Sequence, residues 1–329
     1  MAIRLVDLIR MIPNETEDIV GKTKDRFNNV IREILRRETG LRMMIQSGPE
    51  SPNERDTRIV KIHIVPGVPV ELENTIFDDT KWLAIILAPW KQELENLKKS
   101  AKEINGGLFN ALLQKQAVRE RYENRRDILK NAIALVEDLL KDSLATDLLK
   151  ELHAIREDVL GRYTYGTYPV NSFTNGDYDI YARIDLYWGM IGLFARDLGV
   201  TIEGLAFTVL AHELAHAYTH IGADIDGHRW KTAYFAKTDR VLKEGLAQYY
   251  ALRVIERLGH QIPDARLAYE RLMPKQPPEY SSHLPWLDGK LSPEEIRLAL
   301  IETRRKGPGS SANFDEALQT ARDRLRRSI

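Results

Sequence analysis

An apolar run over residues 205–217, interrupted by three ionisable side chains, constrains the fold of this chain more than any other stretch. The interrupting residues, in the pattern His-Glu-x-x-His, are His212, Glu213 and His216. Thr201 can cap a helix that contains the run and ends near His220, since a threonine hydroxyl accepts a hydrogen bond from the first turn. A helix this apolar must be buried, and buried polar groups are costly without partners. The motif therefore predicts a core helix whose polar side chains share a partner.

The two histidines of this motif have the spacing that a metal site requires. Residues four positions apart lie on one face of an α-helix, so His212 and His216 can bind a single ion. Glu213, beside the first histidine, can reach a water molecule on that ion and act as a general base. The chain contains no cysteine, which leaves histidine, aspartate and glutamate as ligands and excludes thiolate sites. The sequence predicts one Zn²⁺ per chain.

A catalytic zinc ion takes three protein ligands and keeps one position open. One arrangement places a glycine three residues, and a third histidine six residues, after the motif, but this chain has Thr219 and Gly222 there. The later run Glu244-Gly245-Leu246-Ala247 is the better source of a ligand. Over residues 180–258 the sequence resembles the gluzincin peptidases, in which a glutamate on a second helix completes the site.

The resemblance implies a zincin-like catalytic domain that hydrolyses peptide bonds, with Glu244 as the third zinc ligand. Glu244 follows His216 by 28 positions, a longer interval than in the best-known gluzincins. We expect the interval to hold an extra loop and a short helix over residues 231–237. The rival third ligands are Asp224, Asp226, His228 and Asp239.

Further side chains are predicted to support this centre. Gln248, one turn after Glu244, can accept a hydrogen bond from a ligating imidazole and orient it. The small residues Gly245 and Ala247 would let the second helix approach the first. His228 is our candidate for stabilising the oxyanion of the transition state, because loops beside a helical metal site often complete it. Other candidates for that role are Tyr218, Tyr234, Tyr249, Tyr250 and His283. His220 is expected to be a capping or surface residue.

The rest of the chain predicts mostly helices and few strands. β-branched or alternating patterns predict strands at Arg58 to Val65, Val68 to Leu72 and Ile180 to Trp188. Helices are predicted at Asn14 to Thr39, Trp90 to Ile104, Leu108 to Leu140, Ala145 to Leu160, Gly189 to Leu198, Asp239 to Leu258 and Ser292 to Arg305. The Tyr-, Gly- and Asn-rich stretch from Tyr163 to Tyr178 is expected to be a connector.

These elements predict an α+β, mostly helical fold in which a small sheet and the active-site helices form the zincin-like domain. We expect a small α/β segment over residues 1–75 and a helical region over residues 76–162. The catalytic domain with a C-terminal helical extension would then span residues 163–329.

The charge balance and the hydropathy of the chain limit which partners and which locations are expected. The 48 basic and 48 acidic side chains cancel, which argues against nucleic acid as the main partner. The N-terminal residues are too charged for a signal peptide, and residues 82–89 are too few to span a membrane, so we expect a cytoplasmic protein.

The predicted function is a zinc metallopeptidase acting on a peptide or protein substrate. The alternatives are a zinc hydrolase of non-peptide substrates and a non-catalytic regulatory protein that uses its helical region.

Overall fold

The structure is a computed structural model, and it describes residues 3–4, 15–43, 60–66, 76–77, 91–98, 123–131, 133–134, 159–169 and 178–327. In chain order the strands are β1 (Ile3–Arg4), β2 (Lys61–Val65), β3 (Ile76–Phe77), β4 (Gly161–Pro169) and β5 (Tyr178–Tyr187). The labelled helices are α1 (Glu15–Thr39), α2 (Trp188–Leu198), α3 (Ile202–Ile221), α4 (Thr232–Lys237), α5 (Arg240–Leu258), α6 (Pro263–Leu272), α7 (Leu284–Asp288), α8 (Pro293–Lys306) and α9 (Ser311–Arg327). Two 3-10 turns, Met273–Lys275 and Pro278–Ser281, precede α7. The fold is α+β and mostly helical, as predicted.

The chain forms two compact units that alternate along the sequence. One contains residues 1–13 and 70–152, and the other contains residues 14–69 and 153–329. The sequence had assigned α1 and β2 to a separate N-terminal segment, whereas they pack in the unit that contains the His-Glu-x-x-His helix.

The first unit is described only in part. β1 pairs antiparallel with β3. Residues 91–98 and 123–131 are helical, within two of the predicted helices, and Arg125 hydrogen-bonds Glu93 at 2.7 and 3.0 Å. The predicted strand from Val68 to Leu72 and most of the helix from Ala145 to Leu160 lie outside the described residues.

In the second unit α1 packs against α3, although the two helices are more than 160 positions apart in the sequence. A stripe of apolar residues on α1 is fully buried: Val20, Phe27, Ile31 and Leu35. Phe27 meets Phe207 of α3 edge to face, with ring centres 5.2 Å apart. The spacing of the stripe is typical of one helix face, and its burial fixes one side of α3.

A three-stranded sheet covers another part of α3. Its order is β2-β5-β4, with β2 parallel and β4 antiparallel to β5. The predicted strand from Arg58 is confirmed only from Lys61 to Val65.

The prediction for residues 163–178 as a connector was wrong, because most of the segment that is described is strand β4. The predicted strand from Ile180 ends one residue early, and Trp188 begins α2 instead. β5 is the central strand, and Asp185 and Tyr187 on its expected polar face are buried, whereas Arg183 on the same face is exposed.

Helices α2, α5 and α8 agree with the predicted helices, whereas α6 and α7 were not predicted. Gly199 ends α2, and the Ser292 hydroxyl and the Glu295 carboxylate form a capping box that starts α8. Among the described residues no single helix has the length and apolarity to cross a membrane; α2 and α3, which meet at a bend of 119°, reach these limits only as a pair.

Candidate metal centre

The His-Glu-x-x-His motif lies in the middle of α3, among residues of the helix that are all buried. The Thr201 hydroxyl accepts a hydrogen bond from the N–H of Gly204 at 3.1 Å, which is the predicted cap. Every residue of α3 from Gly204 to His220 is buried. The motif side chains therefore sit in an environment where unsatisfied polar atoms would be strongly destabilising.

Three side-chain atoms from α3 and α5 converge on one point. The Nε2 atoms of His212 and His216 are 3.1 Å apart. Glu244 places its Oε2 3.2 Å from the Nε2 of His216 and 3.3 Å from that of His212. All three residues are buried and can together hold a metal ion. The structure thus brings together the three ligands that the sequence proposed.

Hydrogen bonds alone do not satisfy this triangle. Each Nε2 carries at most one proton and an ionised carboxylate carries none. If both Nε2 atoms are protonated, two N–H groups face each other. If only one is protonated, the other Nε2 lies against the carboxylate of Glu244 with no proton between them. Ligand atoms about 2.0–2.2 Å from a tetrahedral zinc ion lie about 3.3–3.6 Å apart. The measured separations are close to that range, so a small divalent cation fits this donor set.

The electrostatics of Glu244 suit a ligand. Burial by itself would raise the pKa of this carboxyl, but the neighbouring His216 and His212 outweigh it, and the pKa lies well below its usual value. The carboxylate therefore stays ionised. Its other oxygen, Oε1, is 4.0 Å from the Nε of Arg240 on the preceding turn.

Glu213 follows His212 on α3, and its side chain faces the start of β4. The residue is only 2 % exposed. A Cβ added to Gly161 would lie 3.0 Å from both Cγ and Oε1 of Glu213 and 2.7 Å from Cγ1 of Val209. This close approach requires a glycine, and it places the edge of the sheet directly against the predicted general base.

One of the two predicted supporting residues, His228, lies in an exposed loop. The His228 ring is 65 % exposed, and its Nδ1 is 3.8 Å from Asp224. It belongs to a second group with Asp224 and Asp226, which Arg305 binds through both carboxylates. The side-chain Nε2 of Gln248 donates a hydrogen bond to the Oε1 of Gln276 at 3.1 Å, and its predicted role as an acceptor for a ligating imidazole stays a prediction.

Among the rival ligands, the carboxylates of Asp224 and Asp226 are bound by Arg305. Asp224 accepts hydrogen bonds from Arg305 at 2.7 and 3.0 Å and from the backbone N–H groups of Asp226 and His228. Asp239 is the residue before α5, and its N–H donates to the carbonyl of Gly309.

The role predicted for Gly245 also changes. A Cβ at this position would meet the Ser282 hydroxyl and the Trp286 ring, so the glycine admits the segment from Ser282 to Trp286.

His283, an alternative donor to the oxyanion, has both ring nitrogens engaged. It is fully buried, and its Nδ1 donates to the carbonyl of Tyr280 at 3.1 Å while its Nε2 accepts from the Tyr269 hydroxyl at 2.6 Å. Burial lowers the pKa of His283 to about 4, so the ring is neutral. Tyr280 in turn packs its ring on His212, with centres 5.6 Å apart and 24° between the planes.

Two residues near the centre were missed by the sequence reasoning. His220, expected at the surface, is fully buried one turn after His216. Burial, reinforced by Arg304, Lys243 and His216, lowers its pKa to about 3 and keeps the ring neutral. Its Nδ1 is hydrogen-bonded to the hydroxyl of Tyr163 on β4 at 2.9 Å. The i+4 spacing after His216 was the available signal for His220, whereas Tyr163 was obscured by its Gly- and Asn-rich surroundings.

Comparison of the chain with protein-family models, with curated proteins and with solved structures finds no match in any of the three. The functional inference therefore rests on the chemistry of the site.

Proposed function

We propose that this protein is a zinc-dependent hydrolase, and specifically a metallopeptidase of the zincin type that cleaves peptide bonds. The observation that carries the proposal is the triangle formed by His212, His216 and Glu244, with ligand atoms 3.1–3.3 Å apart. Its donor set, two imidazoles and one carboxylate, is one that catalytic zinc ions use in peptidases.

Zinc bound by two neutral imidazoles and one carboxylate supplies a centre of net charge about +1 that polarises a carbonyl and lowers the pKa of water. Glu213 follows His212 directly in the chain, and its carboxylate takes the proton of the attacking water. It then returns that proton to the leaving nitrogen. Its burial supports this role, because a carboxylate shielded from bulk water keeps the proton within the site.

A peptide as the substrate class is supported by β4. β4 is an edge strand of the described sheet. The carbonyl of Leu160 accepts a hydrogen bond from Tyr187 of β5, so alternation along the antiparallel pair directs the N–H and C=O groups of Gly161, Tyr163 and Tyr165 away from β5. An extended peptide can add to such an edge. Because Gly161 contacts Glu213, a peptide bound there would pass the general base.

The metal part of the proposal is tested by elemental analysis. We expect about one zinc ion per purified chain, and Glu244→Ala should lower the zinc content sharply. The matched control is Glu256→Ala, which removes an exposed glutamate from the same helix and should leave the content unchanged. Unaltered zinc in Glu244→Ala would assign the third ligand to another residue.

The catalytic part is tested with Glu213→Gln in a panel of fluorogenic peptides. This variant should keep its zinc and lose hydrolysis, because glutamine cannot accept the proton. Glu203→Gln, an exposed position on the first turn of α3 that pairs with Arg26, is the control and should retain activity. Zinc binding with no turnover of any peptide by the wild type would favour a non-peptide substrate, and absence of zinc would favour a non-catalytic regulatory protein.

A further inference from the structure

We propose that Tyr163 and His220 are positioning residues of the metal centre, because their hydrogen bond anchors β4 to α3 and holds the imidazole of His216 in its ligating orientation. The inference rests on the proposed function in that it assigns these residues to the same metal site. It concerns the binding of the ion, however, and can be measured without any substrate.

A short chain of hydrogen bonds passes through His220. Its Nδ1 is 2.9 Å from the Tyr163 hydroxyl, and its Nε2 is 3.2 Å from the hydroxyl of Thr232, the first residue of α4. His220 is fully buried, so water does not replace either bond when it is lost. The imidazole therefore joins a strand, the motif helix and α4 through three side chains.

His220 is held so that it can serve as a fixed anchor. Its ring stacks on Phe235, with centres 4.2 Å apart and planes at 6°, and Tyr165 meets it edge-on at 4.6 Å. Arg304 hydrogen-bonds the carbonyl groups of both His220 and Gly222 at the end of α3. These contacts restrain the ring and its backbone together.

Tyr163 transmits that position to the metal ligands. Its ring lies parallel to the imidazole of His216, with 8° between the planes and 6.3 Å between the centres. Two residues earlier on the same strand, Gly161 contacts Glu213. A shift of β4 would therefore move the wall beside one ligand and beside the general base. Contacts that orient metal ligands are commonly worth 10–100-fold in metal affinity or activity.

The test compares Tyr163→Phe with Tyr165→Phe. Both remove only a hydroxyl from neighbouring tyrosines of β4, but the hydroxyl of Tyr165 has no hydrogen-bond partner among the residues described in the structure. Zinc affinity is measured by competition with a chromophoric chelator, and the cobalt-substituted proteins are compared by visible absorption. We expect Tyr163→Phe to weaken zinc binding about tenfold and to change the cobalt spectrum. Tyr165→Phe should match the wild type in both.

A second variant removes the hydrogen bond at the other nitrogen of the His220 ring. Thr232→Val removes the hydroxyl at Nε2 with little change of shape and should weaken zinc binding in the same direction. The double variant Tyr163→Phe/Thr232→Val should lose zinc affinity by a factor smaller than the product of the two single-variant factors, because both substitutions act on the imidazole of His220. A purely structural contribution would lower the melting temperature and leave the cobalt spectrum unchanged.

The outcomes separate this inference from the proposed function. Wild-type zinc affinity and an unchanged cobalt spectrum in Tyr163→Phe would overturn the positioning role even if the protein is an active peptidase. A protein that binds zinc but hydrolyses no peptide would overturn the proposed function, while the affinity ratio would still support or refute the role of Tyr163. A wild-type chain that binds neither zinc nor cobalt would overturn both.

Discussion

Replacing Gly161 by alanine tests the contact between the sheet edge and Glu213, the proposed general base. The new Cβ would lie 2.7 Å from Cγ1 of Val209 and 3.0 Å from Cγ of Glu213. Carbon atoms in good contact are about 3.5–4.0 Å apart, so β4 or the Glu213 side chain must move by about 1 Å. The φ angle of Gly161 is not positive, so the change adds no backbone strain.

The magnitude follows from two opposing effects. Overpacking costs about 1–3 kcal/mol, and the loss of chain entropy in the unfolded state returns about 0.4–1 kcal/mol. We expect a net destabilisation of about 0–2.6 kcal/mol. A displacement of about 1 Å in a catalytic geometry can cost about 100-fold in rate, so kcat/KM should fall by about 10–100-fold. Zinc content should stay at the wild-type level because none of the three proposed ligands is touched.

The assay is peptide hydrolysis with zinc content measured on the same preparation and thermal unfolding measured alongside. Adding Val209→Ala to Gly161→Ala removes the 2.7 Å contact but leaves the two contacts with Glu213. The double variant should therefore relieve the packing strain at Val209 without restoring the full activity. An unchanged kcat/KM in Gly161→Ala would show that β4 does not lie against Glu213 and would refute the reasoning.

Three further predictions address packing, pH and the metal. Gly245→Ala should destabilise the fold by about 1–3 kcal/mol in urea unfolding, because its Cβ would collide with the Ser282 hydroxyl; unchanged stability would contradict that contact. In the metal-free protein, stability should fall as the pH drops from 6.5 towards 4, by up to about 1.4 kcal/mol per pH unit for each of His220 and His283. The sign follows because both folded-state pKa values lie below 6.5, so the unfolded chain binds the protons first; His283→Gln should flatten the curve. Removing zinc with a chelator should lower the melting temperature, because a free zinc concentration of about 1,000 times Kd stabilises the folded state by about 4 kcal/mol. An identical melting curve would argue against a bound metal.

The local signals of the sequence were sufficient for the helices around the site. Thr201 marked the start of α3, and the box of Ser292 and Glu295 marked the start of α8, because capping depends on residues three positions apart. The edge strand β4 was not predictable in the same way. Its glycines and tyrosines resemble a loop, and its strand conformation comes from pairing with β5, which the local pattern does not specify.

Long-range packing also decided which polar residues approach the motif. His228 looked suitable because it follows the motif closely in the chain, yet its loop turns it towards Asp224. His220 looked like a surface cap, yet Tyr163 and Phe235 bury it. Neither outcome follows from spacing, since both depend on elements that meet α3 from other parts of the chain.

The sequence by itself determined that His212 and His216 share one face of a buried helix, because a helix sets the positions of residues four apart through its own geometry. Only the tertiary structure decided that Glu244 brings its oxygen within 3.3 Å of both imidazoles and that β4 lies against Glu213. Those distances depend on how α5 and the sheet pack on α3. Packing is the sum of many weak contacts between distant segments, and no short stretch of sequence contains it.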